Sequence, residues 1–378
     1  MKRSTLQLQR SLWRTLLASI FVVVVLALPG NTRAQGSGPA TAANVSSRLT
    51  ELTRRLNAKP LDAVAVEDSR AFGVELLDAK RFEDATQLFA LLRLAAPDDP
   101  SGFYGGALAL FNLHRVDEAD VLARAAVEKA EALSRVSKTS GGNAAAIPAK
   151  AFANVADSLV LLGVVLAVKG DDAGALAAVT RAVTIEPGNF DAQFALGRAL
   201  YGSGDPTSAA RAFRAAVALK PADAQTRFFL ATSLERTGDD ASALAAYKDL
   251  VAVAPGVAEG HLGVGALLVK RNGDELNEGI RELEKALASN ERLYEGQVAL
   301  GRALIRTGRV AESIAPLKRA AELAPDNPEP HYQLAIAYRR LGRKDAADAE
   351  TAIVKKIHAA KRSSSVARSD EAEPANKP

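Results

Sequence analysis

Three prolines, Pro187, Pro221 and Pro255, stand 34 residues apart, and the stretches that close on them share one pattern: LLGVVLAVKGDDAGALAAVTRAVTIEP, ALGRALYGSGDPTSAARAFRAAVALKP and FLATSLERTGDDASALAAYKDLVAVAP. A period this short constrains the fold more than any other feature of the chain. A 34-residue unit cannot bury an apolar face alone, so successive units must stack and build a continuous core between them. The period also explains why LGRAL occurs at Leu196–Leu200 and again at Leu300–Leu304. The copies lie three periods and two residues apart, and the two extra residues fall in the segment Arg271–Asn277.

Each conserved offset has a physical reason. Gly163, Gly197, Gly265 and Gly301, with Ala107, Ala231 and Ala335 at the same place, sit midway along a predicted first helix where a partner helix comes close. Gly170, Gly204, Gly238, Gly308 and Gly342 end that helix, since glycine accepts the left-handed conformation of a helix terminus. Ala85, Ala119, Ala175, Ala209 and Ala243 open the facing stripe of a second helix, and Phe89, Val179, Phe213 and Tyr247 follow one turn later. Pro97, Pro187, Pro221, Pro255 and Pro325 stop that helix before the next unit. The chain is expected to be all-α, an expectation that abundant Ala and Leu and 5% aromatics support.

This register of Leu-Gly, Ala, aromatic, Ala and Pro resembles the tetratricopeptide repeat family, whose 34-residue helix-turn-helix units stack into a right-handed superhelical solenoid. Eight units are counted, starting near Val66, Pro100, Ala156, Phe190, Ala224, Ala258, Tyr294 and Pro328. The family's first-helix Trp is replaced by residues such as Gln193, His261 and His331, and Glu291 stands where Pro is expected. These departures leave the fold inference intact and point to looser packing at those places.

Around the array, Lys2, Arg3, Arg10 and Arg14 precede the apolar run Leu16–Leu28, Pro29-Gly30 and the small-residue site Thr32-Arg33-Ala34. Residues 1–34 therefore read as a secretory signal cut after Ala34, with an uncleaved anchor as the alternative, because the run is shorter than the ~20 residues that span a bilayer. The mature protein would be periplasmic or secreted and would have no membrane span. Of the 48 Lys and Arg, five lie in this segment, leaving 43 against 44 Asp and Glu. That near neutrality gives no global support for nucleic-acid or anionic-membrane binding. With no cysteine, the chain has neither disulfides nor a thiolate. Residues 35–65 read as a flexible leader and a capping helix carrying Val45, Leu49, Leu52 and Leu56; 66–133 hold the first two repeats and 156–361 the other six, ending in a capping helix. Residues 134–155 form an insertion, with SKTSGGNAAAIP at Ser137–Pro148 as a loop and potential hinge, and 362–378 read as a disordered tail.

No catalytic motif fits. GVGALL at Gly263 has two glycines of a dinucleotide fingerprint but lies inside a repeat helix, and NGDELNEG at Asn272 reads as a capped turn rather than a calcium loop. Asp98-Asp99 and Asp239-Asp240 are assigned to helix capping, and His261 and His331 to a partly buried repeat position, so no catalytic, cofactor or metal site is expected. The resemblance instead implies a concave face lined by first helices, in which a partner polypeptide lies. The lining positions are Tyr104, Leu108 and Phe111; Phe194, Arg198 and Tyr201; Phe228, Glu235 and Arg236; Arg302, Ile305 and Arg306; and Tyr332, Ile336, Arg339 and Arg340. Two readings of the arginines stand: forks for an acidic peptide, or solvated side chains paired with acids such as Glu295 and Glu329. The family's carboxylate clamp is not matched at Arg198, Val164 and Leu108. The expected function is a non-catalytic protein-binding scaffold or adaptor in the bacterial cell envelope; a recruiting subunit of an enzyme or a polysaccharide-export complex is the alternative. A polysaccharide would use Tyr104, Phe111, Tyr201 and Phe228 as stacking platforms.

Overall fold

A computed structural model describes residues 42–139, 153–271 and 273–370. The expected signal, the leader to residue 41, most of the insertion and residues 371–378 lie outside the described residues. Among those described, there are seventeen helices and no strand. Helix α1 (Ala42–Leu56) precedes eight helix pairs: α2 (Ala63–Asp78) with α3 (Phe82–Ala95), α4 (Pro100–Asn112) with α5 (Val116–Thr139), α6 (Val155–Lys169) with α7 (Asp172–Ile185), and α8 (Phe190–Ser203) with α9 (Pro206–Leu219). Then come α10 (Ala224–Thr237) with α11 (Asp240–Val253), α12 (Ala258–Arg271) with α13 (Leu276–Ser289), α14 (Tyr294–Arg306) with α15 (Ile314–Leu323), and α16 (Pro328–Arg340) with α17 (Lys344–Asp370). The helices divide between two compact units, Met1–Pro221 and Ala222–Pro378.

The turn inside each pair is set by local chemistry. Gly170, Gly204 and Gly238 adopt φ of 86°, 88° and 83° and close the first helix in the left-handed conformation. At Gly204 the amide donates to the Tyr201 carbonyl, and the Asp205 amide reaches back to Leu200, which satisfies carbonyls the helix leaves open. Asp171, Asp205 and Asp239 then cap the second helix by accepting from the amides of Gly174, Ser208 and Ser242. Caps of this kind contribute about 1 kcal/mol each. Asp99 likewise caps α4 by accepting from the Ser101 amide. The start of α13 differs: the helix begins after Glu275 with no side-chain cap, whereas NGDELNEG was expected to hold a capped turn.

Pairing follows from the glycine and aromatic positions. A Cβ placed on Gly197 would come within 2.6 Å of the Phe213 ring, and one on Gly265 within 2.7 Å of Leu283, so only glycine lets these helices approach. Phe89 and Phe213 are wholly buried in the seams they fill, as are Ala85, Ala119, Ala209 and Ala243 on the same stripe. Helix α1 covers the first repeat as its spacing predicts, burying Val45, Leu52 and Leu56.

The insertion departs from its expected shape. Helix α5 continues to Thr139, so Ser137, Lys138 and Thr139 are helical rather than part of a loop. One core then runs from Tyr104 and Leu110 through Ala126 to Leu162 and Leu166, and Lys169 of α6 pairs with Asp120 of α5 at 2.7 Å. The two sides of the insertion thus share a core, against a hinge at this place, and α5 and α6 pack as neighbouring helices do elsewhere. At the other end of the chain, α17 extends to Asp370 into the segment read as a disordered tail, and it doubles as the second helix of the last repeat and its cap. Its polar outer face makes a further capping helix unnecessary among the described residues.

Helix α15, with 10 residues, is four shorter than the 14-residue second helices α3, α7, α9, α11 and α13. Pro316 has no amide to donate to the carbonyl of Glu312, so it must sit within the first turn, and the helix starts at Ile314. Residues 310–313 form turns instead, with Ser313 buried and donating to the Val310 carbonyl at 2.7 Å.

Candidate binding surface

Several consecutive first helices touch one another, α2 with α4, α4 with α6 and α6 with α8 in the first unit, α12 with α14 and α14 with α16 in the second. The second helices make no comparably close contact among themselves. Each unit therefore curves with its first helices on the inner side, where every residue assigned to the groove is carried.

The first unit's inner face is mostly apolar. Leu108 and Phe111 of α4 and Val164 of α6 are half-buried there, and Val168 is 41% exposed. Tyr104, Phe194 and Tyr201 were expected to project into the groove, but they are buried at 2%, 9% and 8% exposure. Their positions face the seam between successive first helices, where close approach of the backbones covers the rings. Phe194 stacks with Phe190 at 6.0 Å and meets Phe213 edge-on at 5.8 Å, and the Arg198 guanidinium lies 5.9 Å above the Phe194 ring. Burial pulls the Arg198 guanidinium down to about 10, so it remains charged at neutral pH. At the start of the same helices stand Asp157 of α6 and Asp191 of α8, both half-buried. Burial pushes the Asp157 carboxyl up to about 6 despite a hydrogen bond from Asn189 Nδ2 at 3.0 Å, with Glu186 and Asp191 adding repulsion. Burial, then the charges of Asp157 and Asp191, also raises the Tyr104 hydroxyl well above its ordinary range.

The second unit's inner face is charged. Arg236, Arg302, Arg306, Arg339 and Arg340 are exposed, Phe228 and Ile336 are half-buried, and Tyr332 is 55% exposed. The arginines have different roles. Arg306 Nη1 donates to the Val269 carbonyl at 2.6 Å and Arg340 Nη1 to the Ile305 carbonyl at 2.8 Å, each reaching the end of the preceding first helix. They satisfy carbonyls that the helix termini leave open, so they staple one repeat to the next. Glu329 accepts from Gln333 at 2.9 Å. Arg302 is exposed on the face itself, and Arg339, also exposed, donates to Thr351 Oγ1 of α17 at 3.4 Å.

A second ladder escaped the sequence reading. Gln193, His261 and Gln297, at the family's first-helix Trp position, donate to the carbonyls of Pro187, Pro255 and Glu291, in each case six residues earlier. The side chains lock each first helix onto the turn before it. A carbonyl acceptor requires only a nitrogen donor, which explains why Glu291 substitutes for proline without loosening the turn. His261 Nδ1 also meets Glu282 Oε2 at 2.6 Å, and His331 Nδ1 meets Glu350 Oε2 at 2.6 Å, joining first and second helices of a repeat. Among the described residues, no group of three His, Asp or Glu gathers to hold a metal ion, and no helix is long and apolar enough to cross a membrane. A shallow hollow of about 510 Å³ beside Thr50, Arg54, Arg81 and Asp84 contains none of the groove residues.

Two family models match segments of this array: a tetratricopeptide repeat model over residues 194–258 and a TPR repeat model over residues 301–342. These segments are tetratricopeptide repeats. The TPR fold is shared with solved structures. The C-terminal part of a TPR repeat-containing protein from Cytophaga hutchinsonii aligns with a TM-score of 0.51 at 14% identity, covering 70% of this chain and 99% of that one. YrrB, described as a TPR protein with an unusual peptide-binding site, aligns at 0.43 and 15% identity over 48% of this chain and 93% of its own. MamA from Desulfovibrio magneticus RS-1 aligns at 0.42 and 17% identity over 45% and 96%. No curated protein matches the chain. TPR arrays serve as scaffolds for protein-protein interaction, and the inner faces described above are where this array offers its side chains.

Proposed function

We propose that this TPR protein is a non-catalytic scaffold of the cell envelope that holds a partner polypeptide against its first helices. The observation that carries the proposal is Tyr332, a large aromatic left 55% exposed on the inner stripe of α16, with Ile336 and Arg339 one and two turns further and Arg302 on α14. Aromatic and arginine side chains are the commonest anchors of polypeptide interfaces, because each gives a large contact area or a bidentate fork at low entropic cost. The envelope location is supported by the basic residues and apolar run of residues 1–34.

A photo-crosslinking residue at Tyr332 is expected to capture one partner from an envelope extract, whereas the same residue at Leu94, 81% exposed on a second helix, captures none. Tyr332→Ala and Arg302→Ala/Arg339→Ala are each expected to weaken that partner's binding by at least about ten-fold. Capture from both positions alike, or from neither, would remove the inner face as the binding surface. N-terminal sequencing of the exported protein checks cleavage after Ala34.

A further inference from the structure

The second unit's inner face carries positive charge that its own acids do not match. Arg302 of α14, Arg339 and Arg340 of α16 and Arg343 just beyond are exposed, and among the described residues none of them pairs with a carboxylate. One repeat earlier the pattern is different. Lys270, at the repeat position of Arg306 and Arg340, is matched by Asp240 at 2.7 Å, and Arg271 by Glu275 at 3.4 Å. The fold itself accounts for part of the excess. Arg340 is held by the Ile305 carbonyl and Arg339 by Thr351, and cations in the last turn of a helix are favoured by its dipole.

Neither reason covers Arg302. It stands before the last turn of α14 and makes no hydrogen bond, ion pair or ring contact among the described residues. The one acid of α14, Glu295, lies seven residues back, about 10 Å along the helix at 1.5 Å per residue. The neighbouring first helix, α16, leaves Tyr332 55% exposed, with Ile336 half-buried one turn further. The geometry points to this face as the docking surface for an acidic segment of a partner polypeptide, which sets an Asp or Glu on Arg302 and a large apolar side chain on Tyr332 and Ile336. The inference rests on the polypeptide-binding function proposed above and names the chemistry that this unit selects. Charge complementarity accounts for the acid, since a free guanidinium can take a carboxylate in a bidentate fork. The exposed ring and the branched side chain beside it account for the apolar residue and favour a polypeptide over other polyanions.

The test uses the full chain and a library of random 12-residue peptides displayed on phage, selected in about 50 mM salt, where exposed charges are weakly screened. The most enriched peptide is then synthesised with an amidated end, so that side chains supply every carboxylate. Enrichment of Asp or Glu beside aromatic or aliphatic residues is expected, with affinity falling about ten-fold between about 50 and 500 mM salt. Arg302→Gln should bind about ten-fold more weakly in about 50 mM salt and respond less to salt, while Arg302→Lys, which keeps the charge and loses the fork, recovers part of the affinity. Circular dichroism and melting should show both variants folded, because Arg302 bonds to no other described residue. Enriched peptides without acids, or affinity unchanged within two-fold in Arg302→Gln, overturn this inference and leave polypeptide binding standing. Displacement of the peptide by an acidic polysaccharide at equal charge concentration would assign Arg302 to that ligand and overturn it as well. If no peptide is retained at all, the scaffold function itself fails, and this inference with it.

Discussion

His114 and Lys80 stand where later repeats have glycine, and both adopt the left-handed conformation, with φ of 59° and 57°. Their amides make the same capping bonds as the glycines, His114 to Phe111 and Lys80 to Leu77. A side chain in this conformation costs about 1–2 kcal/mol, part of which glycine gives back through its greater freedom in the unfolded chain. His114→Gly is therefore expected to raise stability by about 0.5–1 kcal/mol, seen as a higher urea midpoint. His261 makes a second test, since both of its ring nitrogens face acceptors. His261→Gln keeps a donor for Pro255, as Gln193 keeps one for Pro187, and should cost less than His261→Leu, which takes the donor from the Pro255 carbonyl and leaves half-buried Glu282 with Lys285 alone, a loss of about 1 kcal/mol. Burial opposes ionisation of Glu282, but hydrogen bonds from Lys285 and His261 outweigh it and hold the carboxyl below its ordinary value. Its stabilising share is thus present at neutral pH and lost as pH falls through that lowered value. The exposure of these residues was beyond sequence reasoning. Tyr104 and Tyr332 occupy the same repeat position, yet one is 2% and the other 55% exposed, because only the former has a further repeat covering its ring.

At the scale of the helix, close approach is the main restraint. Gly197→Ala gains about 1 kcal/mol of helix propensity but drives a methyl against the fully buried Phe213 ring, which cannot move aside. A net loss of about 1–2 kcal/mol is expected, and Phe213→Leu in the same chain should recover part of it; two independent losses that simply add would show that the residues do not compete for one space. Helix starts and ends were legible because glycine, proline and aspartate act within one turn. The exception is instructive. Residues 310–313 carry the periodic pattern yet do not form helix, and the cause is Pro316, six residues beyond Val310, acting through a missing amide. The insertion was misread for a similar reason: a broken period does not reveal whether the neighbouring helices remain packed, and α5 and α6 do.

At the scale of the molecule, stability should vary along the chain. In stacked repeats each unit contacts its neighbours only, so damage stays local. Hydrogen exchange of Gly197→Ala is expected to show loss of protection in the repeats beside α8 and little change around α16. Protonation adds a second axis. Because Asp157 is raised in the folded chain, the native state holds more protons than the unfolded one between about pH 4 and 6, and stability falls as pH rises through that interval. Asp157→Asn should accordingly stabilise the chain at pH 7.5, by roughly 1 kcal/mol after the lost helix-dipole interaction is counted. Destabilisation of that variant at pH 7.5 would mean that the hydrogen bond from Asn189 to the carboxylate outweighs its burial.

The periodic sequence by itself determined the class of fold, the number of helix pairs, the turn glycines and the inner side of the array, because each follows from contacts within a unit or with its immediate neighbour. Tertiary structure decided which inner side chains remain open. Arg306 and Arg340 look no different in sequence from Arg302 and Arg339, but stacking brings the first two onto carbonyls of the preceding helix, while Arg302 stays exposed and Arg339 reaches Thr351 of its own repeat. The period is a local rule repeated, whereas exposure depends on what the next repeat covers, and that is settled only when the helices pack.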